Sequence, residues 1–150
     1  KGSVDAAILW APGFAVAEKL GMVRLQSLAD IIELPGSGVV VSDQLIKENP
    51  LLIKRFLRGT LKGFQYLEDP RNRDEIVNSI ARNFSLESDI AATNYKFMLG
   101  ILSKEGMISR RAIENGIELT RQRIKTNEPA AELAKKMYDF SLLEEVQKGK

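Results

Sequence analysis

Apolar residues before Ser42 come in short unbroken runs; after it they return every three or four positions almost to the end. Asp5-Ala6-Ala7-Ile8-Leu9-Trp10 is such a run, halted by Ala11-Pro12-Gly13. It is too short for a helix, so the pattern predicts a buried strand. Pro12 suits the first turn of a helix, where a missing N–H costs nothing. Phe14 to Leu20 continue that helix, and Gly21 is placed to end it at the C′ position. Val23 to Leu28 and Ile31 to Leu34 read as extended or irregular. Pro35-Gly36-Ser37-Gly38 is a turn-rich break, and Val39-Val40-Val41 predicts a second short strand, continuous and β-branched.

Beyond Ser42 the 3.6-residue period takes over. Ser42 or Asp43 caps a short helix through Lys47. Asn49-Pro50 is an N-cap with proline at the first helical position, opening a helix to about Glu68. Leu52, Phe56, Leu57, Leu61, Phe64 and Leu67 form its apolar stripe, and Asp69-Pro70 ends it. Further helices are predicted from Asp74 to Phe84, with Ile76, Val77, Ile80 and Phe84 on one side, and from Leu86 to Leu102 with Ser85 as cap. Gly106 is the expected stop before a helix from Ser109 to Lys125. Glu128-Pro129 opens another, ending near Tyr138, and Ser141 caps a last turn over Leu142–Val146. The expected architecture is α/β, predominantly helical, with two to four short strands confined to the first 45 residues. Two short strands do not make a sheet alone, so their partners are expected in sequence upstream of this chain. The opening Lys1-Gly2-Ser3, with no initiating Met and no leader, points the same way.

Composition narrows the function classes. Hydrophobic residues are 44% and charged residues 28% of the 150, an ordinary globular balance that excludes a disordered tail. A net charge of +2 without a basic stripe gives no footprint for nucleic acid. No apolar run approaches the roughly 20 residues that cross a bilayer. The sequence contains neither Cys nor His. That removes thiol nucleophiles, thiolate metal sites, the commonest general base and the commonest transition-metal ligand. No cofactor, metal or catalytic residue is expected.

Gly2-Ser3-Val4-Asp5-Ala6-Ala7 followed by Trp10-Ala11-Pro12 resembles the nitrate/sulfonate/taurine-type solute-binding proteins of ABC importers. The resemblance continues through Gly38-Val39-Val40-Val41-Ser42, Asn49-Pro50, Phe56-Leu57-Arg58, Gly106-Met107-Ile108-Ser109 and Tyr138-Asp139-Phe140. It implies the C-terminal part of a two-lobed periplasmic-binding-protein type II fold. Residues 1–34 would then end one α/β lobe and cross over near Ile31 to Gly38, and residues 35–150 would be the return segment and helical C-terminal region. It also implies a small solute, anionic or heteroaromatic, held between lobes and delivered to a membrane permease, in the periplasm or on a lipoprotein at the cell surface. A branch of similar architecture makes the thiamine pyrimidine, but relies on His and a Cys-rich motif. A helical interaction or regulatory domain is the third possibility, and it gives no reason for the strand–Trp–Pro start.

Trp10, Ala11, Pro12, Gly13, Phe14 and Asp30 are the candidate ligand-binding residues. Ligands in open α/β sheets sit beyond the carboxyl ends of strands, and Trp10 stands at such an end, with a flat apolar face and one N–H donor. The helix start at Pro12-Gly13 would favour an anion. The competing readings are a core tryptophan and a helix start that binds only water. Asp30 is either beside the cleft or simply solvated. Pro35–Gly38 lacks the Gly-Lys-Ser/Thr ending of a phosphate loop. It is a flexible turn or a hinge. Lys54, Arg55, Arg58 and Lys62 read as a solvated face, Asn94, Tyr95, Phe97 and Met98 as core, and Glu144 and Glu145 as diverging. Strands without partners would expose backbone and apolar surface, so the 150-residue chain alone is expected to associate, most simply as a two-fold homodimer.

Overall fold

The computed structural model describes residues 4–149, and at 122 and 124 the backbone alone. The Gly2-Ser3 opening of the N-terminal motif lies outside the described residues. The helices are α1 (Gly13–Lys19), α2 (Asp43–Glu48), α3 (Pro50–Glu68), α4 (Arg73–Phe84), α5 (Ser88–Ile101), α6 (Arg110–Ile124), α7 (Ala130–Met137) and α8 (Ser141–Gln147). Short 3-10 turns occupy Leu28–Asp30 and Pro70–Asn72. The chain divides into two units, one from Lys1–Gln26 and Gln65–Leu102, the other from Ser27–Phe64 and Ser103–Lys150.

The helix starts follow their local chemistry. Ser42 Oγ accepts from Leu45 N–H at 3.2 Å, Asn49 Oδ1 from Leu52 N–H at 3.1 Å and Ser109 Oγ from Ala112 N–H at 3.0 Å. Gly21 adopts φ +84. Its N–H donates to Glu18 O and that of Met22 to Ala17 O, both at 3.0 Å, which is the Schellman closure of α1.

The expected strands are absent among the described residues, which overturns the α/β expectation: the ordered elements are helical. Asp5–Trp10 and Val39–Val41 are without regular secondary structure, and Val40 is 94% exposed. A strand exists only within a ladder, and neither run forms one with any described segment. Their apolar character marks burial potential, and periodicity alone does not supply a pairing partner.

Smaller corrections have local causes. Ser85 does not cap α5. It ends α4 in the left-handed conformation, φ 53 and ψ 44, and the residue before α5 is Glu87. Gly106 has φ +70 but lies in the loop after α5, which already ends at Ile101. On α3, Ile53 is the buried residue, whereas Leu52 and Phe56 are exposed; the stripe is rotated about one residue from the expected one. Phe84 is likewise exposed at the end of α4.

In the first unit, α4 and α5 pack as neighbours through Ile76, Val77, Ile80, Ala91 and Tyr95, with Leu67, Leu86 and Met98 against them. Tyr95 Oη donates to Leu67 O at 2.6 Å, and Asn72 Nδ2 to Tyr66 O at 3.0 Å. Together with Asp69 N–H on Gln65 O at 3.2 Å, these satisfy carbonyls of α3's last turn. Asn94 is buried at 7% exposure, and its Oδ1 has no hydrogen-bond partner.

In the second unit, α6 and α7 pack through Ile113, Ile117 and Ala134, flanked by Ile108, Leu133, Tyr138 and Phe140. Lys54 of α3 pairs with Glu145 of α8, while Glu144 faces Lys148 at 3.7 Å, so the two glutamates do diverge. Residues before α2 lie on α6: Asn115 Nδ2 donates to Glu33 O at 3.0 Å. A Cβ at Gly116 would stand 3.0 Å from the Pro35 ring.

Candidate functional site

The candidate residues Trp10 to Phe14 form the approach to α1. Val4 to Trp10 is exposed throughout, and Trp10 is 78% exposed. Trp10 is therefore not part of the core formed by the described residues. Ala11, Pro12, Gly13 and Phe14 are half-buried, and the Ala11–Pro12 peptide is cis. Phe14 N–H donates to Trp10 O at 3.3 Å, and Ala15 N–H to Pro12 O at 3.0 Å. These first amides are therefore engaged within the chain, and the helix start is not an open set of donors.

Side chains of α1 fix this approach against α5. The rings of Phe14 and Phe97 meet edge to face, with centroids 4.9 Å apart and planes at 64°. At the other end of α1, Lys19 Nζ donates to Glu87 Oε2 at 2.6 Å and to Asp89 Oδ2 at 2.8 Å. The hydrogen bond from Lys19, and then that from Ile90 N–H, hold the Asp89 carboxyl below its usual range, and Asp89 and Glu87 in turn raise Lys19. After the turn at Gly21 the chain runs back beside α1. Arg24 lays its guanidinium carbon 4.4 Å from the Phe14 ring centroid. Arg24 Nε and Nη2 both reach one oxygen of Glu18, Oε1, at 2.8 Å.

Asp30 ends the 3-10 turn Leu28–Asp30, is exposed, and belongs to the second unit. The structure thus places five of the six candidates on one continuous segment, with Asp30 on the other unit. Arg24, Phe97 and Lys19 were missed in the sequence because no periodicity links them to Trp10. The available signal was Gly21: a glycine at C′ reverses the chain and sends the next residues back along the helix they leave. Among the described residues no group of three His, Asp or Glu side chains is arranged to hold a metal ion.

Residues 1–72 match the family model described as NMT1/THI5 like. The match covers just under half of the chain. The matched span includes all six candidate residues and ends with the Pro70–Asn72 turn. The family is made up mostly of substrate-binding proteins and also includes synthesis enzymes. No curated protein and no solved structure matches the chain.

Proposed function

We propose that this chain is part of the extracytoplasmic solute-binding component of an ABC importer, which captures a small anionic or heteroaromatic solute and passes it to a membrane permease. The observation that carries this reading is the NMT1/THI5-like match over residues 1–72. Trp10 and the segment to Phe14 form the solute-facing wall. An exposed indole at the mouth of a helix held firmly on α5 is suited to that role: it offers an apolar face and a donor, and burying it on solute capture gains affinity. The absence of His and Cys from the sequence supports binding over the enzymatic branch. No helix of the described residues is long and apolar enough to cross a membrane.

A thermal-shift screen against taurine, nitrate, small sulfonates, aminopyrimidines and aromatic acids tests the reading. A bound solute at a hundred times its dissociation constant stabilises the folded protein by about 2.7 kcal/mol. Trp10→Ala is expected to abolish that shift while leaving the unliganded melting curve close to wild type. A solute shift that survives in Trp10→Ala would remove Trp10 from the site, and no shift with any of these solute classes would refute the binding function.

A further inference from the structure

One side of α3 is exposed, apolar and edged by cations. Leu52, Phe56, Gly59 and Gly63 follow one another at intervals of four, three and four residues. Such alternation keeps positions on a single line along a helix, the spacing of a two-helix seam. Leu52 is 50% and Phe56 56% exposed, both glycines are exposed, and a Cβ on either glycine would meet nothing within 4 Å. The helix is anchored through Ile53, on a different side, so packing leaves this line over. Arg55 and Lys62 stand seven residues apart along one edge of it, each one place before Phe56 and Gly63. Both are exposed, and neither makes an ion pair among the described residues, whereas Lys54 turns to Glu145. From Pro50 to Leu67 the helix carries no acid.

We propose that this line of α3 is a docking surface for an acidic amphipathic helix of a partner protein. The partner's large apolar side chains cover the two glycines, and its carboxylates pair with Arg55 and Lys62. In a helix seam the apolar line supplies affinity, and the charges flanking it choose the partner. A second copy of α3 has no acid to offer Arg55 or Lys62, and an antiparallel pairing sets those cations against each other. An anionic lipid surface would meet only two large apolar side chains on the line, followed by two glycines, which is little area to insert. A helix with acidic flanks answers both features: it fills the open space over Gly59 and Gly63 and neutralises the cationic edge. The surface needs no solute, so it stands apart from the role of Trp10.

The probe is a fluorescently labelled synthetic heptad-repeat peptide with Leu on its apolar line and Glu along both edges. Its binding to the 150-residue chain is followed by anisotropy at physiological ionic strength. A scrambled peptide of the same composition and a peptide with Lys in place of Glu are the controls. The acidic peptide is expected to bind and both controls to fail. Phe56→Ala, an exposed change to a better helix former, should keep the melting temperature and weaken the acidic peptide about tenfold. The Arg55→Glu, Lys62→Glu double variant should weaken it about tenfold as well, and should bind the Lys peptide instead. That reversal also shows that the variant is folded. Equal binding of the scrambled peptide, or affinities unchanged in both variants, would overturn the proposal. So would binding to phosphatidylglycerol vesicles without binding to the peptide, or a dimer in sedimentation that Phe56→Ala dissociates, since lipid or a second copy would then be the occupant.

Discussion

Replacing Tyr95 with Phe removes one oxygen and leaves the ring. Its hydroxyl donates to Leu67 O at 2.6 Å, and Tyr95 is among the buried residues of the α4–α5 core. Leu67 is in the last turn of α3, where carbonyls have no intrahelical donor. The neighbouring carbonyls of Gln65 and Tyr66 are taken by Asp69 N–H and Asn72 Nδ2, so those donors are directed at other acceptors than Leu67 O. A neutral hydrogen bond contributes about 1 kcal/mol net, and a buried acceptor left unpaired costs about 1–3 kcal/mol. Leu67 is only half-buried, so water relieves part of that penalty, and the expected loss is about 1–2 kcal/mol. In a chain of this length that corresponds to a fall in melting temperature of roughly 2–8 °C. Urea denaturation followed by circular dichroism measures it, with the m-value checked for constancy. A change below about 0.3 kcal/mol would show that the hydroxyl is exchanged for water at no cost and that α3 does not depend on α5 for its C-terminal cap.

Two further outcomes follow from local geometry. The side-chain hydrogen bond from Arg71, and then the Arg71 backbone N–H, lower the Asp69 carboxyl from 3.8 to about 2. A carboxyl lowered on folding stabilises the fold above its unfolded value, and that contribution is lost as pH falls through about 2; NMR titration should place the Asp69 midpoint near 2 and return it towards 3.8 in Arg71→Ala, and an ordinary midpoint in the intact protein would contradict the bridge. Gly21→Ala forces a side chain into φ +84, at a cost of roughly 1–2 kcal/mol; urea denaturation should show it, Gly21→Asn should lose less, and equal stability of all three proteins would mean that the Schellman turn does not hold the end of α1.

The helical half of the chain was legible because capping and periodicity are local. Ser42, Asn49-Pro50 and Ser109 each mark a helix start within a residue, and Gly21 marks the end of α1. The extended runs misled for a physical reason: Asp5–Trp10 and Val39–Val41 carry strand chemistry, but strand formation depends on a partner that composition does not reveal. The stripe on α3 slipped because a helix with apolar residues at 51, 52, 53, 56 and 57 offers more than one candidate face, and only packing chooses Ile53. Around the site, Trp10 to Phe14 could be singled out because Trp-Ala-Pro-Gly is distinctive punctuation. Arg24 and Phe97 could not, since the first arrives through a chain reversal and the second through a contact between residues 83 positions apart. The buried Oδ1 of Asn94 was also invisible, because the surrounding pattern reads simply as core.

The way each unit is closed has a consequence for synthesis on the ribosome. The pairs α4–α5 and α6–α7 are adjacent in sequence, so each can form as soon as its own residues emerge. The segments completing them are made much earlier. Lys19 must wait for Glu87 and Asp89, 68 and 70 residues later, and Glu33 must wait 82 residues for Asn115. At about 5–20 residues per second those delays last roughly 3–16 seconds. Throughout them α1 lacks the Glu87, Asp89 and Phe97 contacts that hold it, and Glu33 lacks Asn115. With only 7 residues, α1 therefore passes through an unsupported stage in every round of translation, a window in which a holding chaperone would have ready access to it.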